Sequence, residues 1–212
     1  MNVETGIRWL DDLLGGGVKQ NSSVLVRGIY GTGKTTICSK FINEGLKKKE
    51  DCLFINTETK HSQLKLKNNA KLTIITTKKD VKENNVITTT NKNLLKKIKK
   101  TIYEHENITR IVFDTVNPIL RFNNIKSMTN KLEDAIASLG KENTKIITLD
   151  TTKLTREKSN ICNDPFQTVV ELSKEKNKHL CNILQSEKTE MVGKVVNIDE
   201  DSVTREVRSF FE

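Results

Sequence analysis

Residues 23–27 (SVLVR) form a short run that is apolar and β-branched at its centre, and the glycine-rich turn beginning at Gly28 follows at once. A strand buried on both faces has this composition. From Gly33 the spacing changes: Cys38, Phe41, Ile42 and Leu46 recur at helical intervals, and Lys47-Lys48-Lys49 fall where cations suit the C-terminal end of a helix dipole. The pattern predicts strand, loop and helix in that order.

Further apolar runs at 52–55, 72–75, 108–113 and 145–149 predict strands. Helical spacing separates several of them. Leu94, Leu95, Ile98 and Ile102 make one face; Met128, Leu132, Ala135, Ile136 and Leu139 make another, which Gly140 closes as a C-cap. Strands that alternate with helices predict a mostly parallel sheet covered on both sides. From Gln167 onward, 169–172, 180–184, 192–198 and 203–207 read as consecutive strands with turn-sized gaps, an antiparallel extension of the same sheet. The stretch 150–165 has no clear period and mixes both charge signs, which predicts a long mobile loop.

The chain has 212 residues, the usual size of one α/β domain, and it lacks internal repeats and Gly/Ser/Pro-rich linkers, so 1–212 reads as a single domain. With 35% hydrophobic and 30% charged residues and two prolines, the composition is that of a soluble globular protein. The N-terminus, MNVETGIRWLDDLL, lacks a basic start followed by an apolar block, and no run is long enough to span a membrane. These features predict a cytoplasmic protein without a membrane partner. Cys38, Cys52, Cys162 and Cys181 are scattered, with no zinc-like spacing, and read as reduced core thiols without a structural metal. The formal charge of +9 favours loose association with polyanions. Abundant lysine and asparagine give part of that excess a simpler origin, a solvated surface.

The sharpest chemical signal is Gly28-Ile29-Tyr30-Gly31-Thr32-Gly33-Lys34-Thr35, followed by Thr36, which fits GxxxxGK[ST] between a strand and a helix. Glycines let backbone N–H groups wrap a phosphate, and the helix behind adds its unpaired N-terminal donors. In such a loop Lys34 is the point charge on the β/γ-phosphates and Thr35 offers a hydroxyl to Mg²⁺. The motif predicts a nucleotide site, with ATP and Mg²⁺ as ligands. The run Ile111-Val112-Phe113 ends in Asp114, a carboxylate suited to the metal's side of the site. Leu53-Phe54-Ile55-Asn56-Thr57 leads to Glu58 at the strand edge where open α/β sheets bind ligands, which makes Glu58 the candidate general base. An exposed glutamate after a strand is the plain alternative for Glu58.

Thr5-Gly6-Ile7, the run Leu10-Asp11-Asp12-Leu13-Leu14-Gly15-Gly16-Gly17, and GIYGTGKTT together resemble the KaiC-like and RadA-like branch of the RecA superfamily. The likeness continues through FINTE and RIVFDTVNPIL and covers roughly the first 120 residues. It implies an α/β, RecA-like P-loop NTPase fold, Glu58 as the catalytic glutamate and Asp114 as the Walker B residue. Two departures stand out. Where KaiC-like members usually carry two adjacent glutamates, Glu58 is followed by Thr59. Where the family often places a Lys-x-Arg that reaches the neighbouring subunit's phosphates, Ile183-Leu184-Gln185-Ser186-Glu187 offers Gln185 and Glu187, with Lys188 one residue beyond. Loss of a trans cation implies slow turnover.

The resemblance therefore implies a slow Mg²⁺-dependent ATPase with a regulatory or signalling role. Its rivals are a nucleotide-dependent switch without significant turnover, acting on a protein partner, and a RadA-like accessory protein that binds DNA. Lys153, Arg156 and Lys158 are the better DNA candidates, although Asp150, Glu157 and Asp164 dilute their charge; Lys96, Lys97, Lys99 and Lys100 read as the solvated face of a helix. Trp9 reads as a packing residue beside Leu10 and Leu13. His61, His105 and His179 share no spacing that points to a metal, and Asp199-Glu200-Asp201 reads as a hairpin turn. Gln185 and Glu187 in place of the cation predict a monomer or weak homo-oligomer.

Overall fold

The computed structural model describes residues 1–79, 83, 85–120, 125–176 and 178–198. The chain opens with β1 (Asn2–Val3), α1 (Arg8–Leu13) and β2 (Val18–Lys19); β1 and β2 pair antiparallel as a small ribbon. Then come β3 (Ser23–Gly28), α2 (Lys34–Lys47), β4 (Asp51–Asn56), β5 (Leu72–Thr76), β6 (Val86–Thr88), α3 (Leu94–Glu104), β7 (Ile108–Asp114), α4 (Ile125–Ser138) and β8 (Thr144–Asp150). The last described elements are α5 (Arg156–Ile161), β9 (Thr168–Glu175), β10 (Lys178–Gln185) and β11 (Val195–Asn197).

Among the described residues nine strands form one sheet in the order β11-β10-β9-β3-β8-β7-β4-β5-β6. From β9 to β6 every neighbouring pair is parallel; the β9–β10 and β10–β11 pairings are antiparallel. The predicted α/β class and the C-terminal antiparallel extension are both present. The extension begins one strand later than the sequence suggested, because β9 pairs parallel to β3 along Val24↔Thr168 through Gly28↔Leu172. Turn-sized gaps report which strands are consecutive and not their direction, so β9 could not be told from the strands after it. The predicted strand at 192–198 shrinks to β11, and the strand at 203–207 and the turn at Asp199-Glu200-Asp201 lie outside the described residues.

The continuous apolar runs follow from burial on both faces. Val24, Val26, Phe54, Val112 and Ile146 pack on one side with Ile37, Phe41 and Ile42 of α2 and Trp9, Leu10 and Leu13 of α1. Their neighbours Leu25, Leu53, Ile55, Ile111, Phe113 and Ile147 point the other way, against Leu94 and Ile98 of α3 and Met128 and Leu132 of α4. The four cysteines are buried and free, and burial pushes the Cys52 and Cys181 thiols up to about 12.

Two buried arginines fasten helices to the sheet. Arg110 on β7 is 1% exposed; its guanidinium pairs with Glu50, donates to the carbonyls of Glu4 and Phe41, and lies 4.8 Å from the Phe41 ring centre. Gly45 of α2 leaves room for it: a Cβ there would sit 2.5 Å from Arg110 Cδ. Arg27 on β3 pairs with Glu171 and donates to Ser159 O, Asn160 Oδ1 and Asn163 Oδ1. That hub corrects the loop predicted at 150–165. The stretch contains α5, whose N-cap Thr155 accepts from the Lys158 amide, and Arg27 holds its last turn on the sheet. With six residues the helix is too short to carry a readable period.

Candidate functional site

The strands of the parallel part all end on one edge, so sheet order decides which side chains meet there. Gly28 is level with Asp150 on the adjacent β8, and Asn56 is level with Asp114. Tyr30, Gly31, Gly33, Lys34, Thr35, Thr36, Glu58 and Asp114 line one cleft of about 420 Å³. Gly28, Ile29 and Thr32, the remaining residues of the predicted loop, shape it from behind. Gly28 must be glycine, because a Cβ would lie 2.3 Å from the carbonyl oxygen of Leu172 on β9. Thr32 donates its hydroxyl to Ile29 O at 2.9 Å and closes the turn. Gly33 is the N-cap of α2 at φ 91°, a left-handed conformation that suits glycine, and no side chain caps the helix.

Lys34 is 8% exposed, and its Nζ donates to Gly28 O at 2.8 Å and Ile29 O at 2.6 Å. The loop thus holds the ammonium on its own carbonyls. Burial pushes that ammonium below the ordinary lysine range, and the carboxylates of Asp150, Asp114 and Glu58 oppose the shift. Asp114, at the end of β7, is also buried. Its Oδ2 accepts from Thr35 Oγ1 at 2.8 Å and its Oδ1 from Thr148 Oγ1 at 2.5 Å. Burial raises its pKa, while the two hydroxyls and Lys34 work in the other direction.

Glu58 stands two residues beyond β4 with an exposed side chain. Its turn is fixed from both sides: Asn56 Nδ2 donates to Thr59 O, and the Thr59 amide donates to Asn56 Oδ1. Thr57 ties the same turn to the end of β7, giving its hydroxyl to Thr115 O at 2.7 Å and accepting from the Thr115 amide at 3.0 Å. Thr59, which follows Glu58 where the resemblance would put a second glutamate, lines the cleft as well.

Asp150, Thr115, Gln63 and Lys65 also line the cleft, and sequence reasoning did not propose them as site residues. Asp150 carried a readable signal: the run 145–149 ends in a carboxylate, as 108–113 does in Asp114. Its backbone is bonded on both sides by the Asn117 amide, and its Oδ1 accepts from the Thr152 amide. Thr152 Oγ1 in turn accepts from the Tyr30 amide at 3.0 Å, so the segment after β8 is joined to the glycine-rich loop. A second cavity of about 780 Å³ shares Tyr30, Glu58 and Asp150 with the first, and Lys153 and Lys158 are among its lining residues.

Gln185, Glu187 and Lys188 are placed elsewhere. Gln185 pairs with Val169, toward the opposite end of β9 from Leu172, and donates to Phe166 O at 2.6 Å. Glu187 pairs with Lys19, and Lys188 Nζ donates to Gly15 O. None of the three lines the cleft of its own chain.

The donor set suits Mg²⁺. A hydroxyl and a carboxylate oxygen, both hard ligands, lie 2.8 Å apart beside the predicted phosphate position, and Mg²⁺ commonly takes few protein ligands together with phosphate oxygens. Among the described residues no group of three or more His, Cys, Asp and Glu forms a self-contained metal cage. No described helix is long and apolar enough to cross a membrane.

Comparison with known proteins agrees with this geometry. The KaiC ATPase family model matches residues 3–200. A 62-residue stretch is 37% identical to the circadian clock oscillator protein KaiC 1 of Synechocystis sp., covering 29% of this chain and 12% of that protein. A 64-residue stretch is 38% identical to the circadian clock oscillator protein KaiC of Prochlorococcus marinus, covering 30% of this chain and 13% of that one. The match therefore spans about an eighth of the length of these curated relatives. The crystal structure of a KaiC-like protein from the archaeon Pyrococcus horikoshii OT3 superposes with a TM-score of 0.70 at 26% identity, over 92% of this chain and 93% of that one. With a RecA-like sheet, a glycine-rich loop at its edge and a family match across residues 3–200, the chain belongs to the KaiC ATPase family.

Proposed function

We propose that the chain binds Mg·ATP in the cleft at the sheet edge and hydrolyses it slowly. The observation that carries this reading is the convergence of Lys34, Thr35, Asp114 and Glu58 on one cleft of about 420 Å³. The loop amides and Lys34 bind the β- and γ-phosphates; the ammonium exchanges the carbonyls of Gly28 and Ile29 for phosphate oxygens. Thr35 and Asp114 would hold Mg²⁺, which when bound would supply charge neutralisation to the phosphates. Glu58 orients the attacking water and accepts its proton, as its exposed carboxylate at the mouth of the cleft allows. Departure of phosphate leaves ADP in the loop.

Slow turnover follows from charge. The resemblance puts Gln185 and Glu187 where the family's trans cation would be expected, and both are engaged in contacts within the chain. An arginine or lysine at that place contributes orders of magnitude to phosphoryl transfer. The same observation favours a second reading, a nucleotide-dependent switch that changes protein partners with little turnover. A phosphate-release assay on the purified chain, with and without single-stranded DNA, separates the readings. Measurable DNA-independent release supports the slow ATPase; release at background with tight ATP binding supports the switch; strong DNA stimulation points to a recombination accessory protein.

A further inference from the structure

Lys65 is a cation that the cleft gains from its own chain. The segment after β4 carries it with the alternation Leu64, Lys65, Leu66, Lys67. Leu64 is 7% exposed within the core cluster formed by α1 and α2, and Leu66 packs against that cluster. Asn43 of α2 clamps the backbone between them: its Nδ2 donates to Lys65 O at 2.7 Å, and its Oδ1 accepts from the Lys67 amide at 2.9 Å. The main chain of Lys65 is therefore held at its carbonyl and flanked by the packed Leu64 and Leu66, while its side chain is exposed and lines the cleft with Lys34, Thr35 and Glu58. Lys67, two residues along, does not line it.

The electrostatics of the cleft call for such a charge. Asp114, Asp150 and Glu58 bring three carboxylates, against which Lys34 is, among the described residues, the deeply buried cation lining the cleft. A triphosphate adds more negative charge than a diphosphate, and the addition falls at the γ position. The glycine loop and the start of α2 surround the inner phosphates, whereas Glu58, Thr59, Gln63 and Lys65 all come from the segment after β4, the side from which the hydrolytic carboxylate approaches. A cation fixed on that side meets the terminal phosphate.

We infer that Lys65 binds the γ-phosphate in cis and makes the cleft prefer ATP over ADP, doing within one chain what the family's Lys-x-Arg does between chains. The inference rests on the nucleotide site proposed above. An ammonium–phosphate contact of this kind is worth about a factor of ten or more in affinity. Lysine also carries a flexible stem, so its head can follow the phosphate while the Asn43 clamp keeps the backbone in place.

The test compares binding of Mg²⁺ with a non-hydrolysable ATP analogue and with ADP, by calorimetry, in the wild-type chain, Lys65→Ala, Lys65→Arg and Lys67→Ala. Lys65→Ala is expected to lose about tenfold in affinity for the triphosphate and to keep its ADP affinity; Lys65→Arg restores most of the loss, and Lys67→Ala matches the wild type. Equal losses for both nucleotides, no loss for either, or the same loss in Lys67→Ala would overturn the role of Lys65 while leaving the nucleotide site standing. A wild-type chain that binds neither nucleotide would overturn the site itself and this inference with it.

Discussion

Thr35 Oγ1 donates to Asp114 Oδ2 at 2.8 Å, joining the first turn of α2 to the end of β7. On the proposed reading, this hydroxyl and carboxylate are the neighbouring ligands for Mg²⁺. Asp114→Asn should therefore bind ATP with little dependence on Mg²⁺, whereas the wild type should bind it more tightly when Mg²⁺ is added. Titration of a fluorescent ATP analogue with and without Mg²⁺ measures both. An unchanged Mg²⁺ effect in the variant removes Asp114 from the metal site.

Glu58→Gln keeps the shape of the side chain and the turn built by Asn56, Thr57 and Thr59, and loses the proton acceptor. Turnover should fall by about 10²–10⁴ with ATP affinity retained. Phosphate release under saturating ATP gives the rate. Equal rates well above background in the two proteins assign Glu58 another role.

Arg110 tests the account of the fold. Arg110→Ala strips Glu50 of its ion-pair partner and leaves the carbonyls of Glu4 and Phe41 without their donor, at a cost of about 3–5 kcal/mol. Gly45→Ala should cost about 1–3 kcal/mol by overpacking against the same guanidinium. Denaturant unfolding measures both. A Gly45→Ala protein as stable as the wild type would mean that α2 does not rest on Arg110 as described.

Burial lowers the Lys145 ammonium from 10.5 to about 8. Between those two values the unfolded chain binds more protons than the folded one, so the stability contributed by this residue rises with pH across the window and is flat below about pH 8. The gain of Lys145→Met over wild type in unfolding midpoint should therefore shrink as pH rises from about 8 toward 10.5. A pH-independent difference between the two proteins contradicts the buried, easily deprotonated lysine.

The sheet and the glycine-rich turn before α2 were legible because their signals are local. Buried strands read as apolar runs, and GIYGTGKTT names its own neighbours in sequence. The partners across the cleft were legible only in part. Asp114 ends, and Glu58 closely follows, a strand that an apolar run could locate, whereas Lys65 reaches the cleft because Asn43, 22 residues earlier, clamps its backbone. A contact that depends on a helix returning to a later loop leaves no periodic trace. The direction of β9 and the existence of α5 were hidden for a related reason: β9 is defined by its pairing with β3, and α5 is held by Arg27, an arginine in a strand that sequence alone offers no reason to connect with Ser159.

Lys34 bears most directly on the central claim, because its ammonium already rests on the carbonyls of Gly28 and Ile29, at the place the β- and γ-phosphates would take. Calorimetric titration of Mg·ATP into the wild type and Lys34→Ala, with circular dichroism to verify that both are folded, is the decisive measurement. Saturable binding by the wild type, lost or severely weakened in a folded Lys34→Ala, is the predicted result. Equal affinity in the two proteins, or no binding by the wild type, would contradict the assignment of residues 28–35 as the nucleotide site.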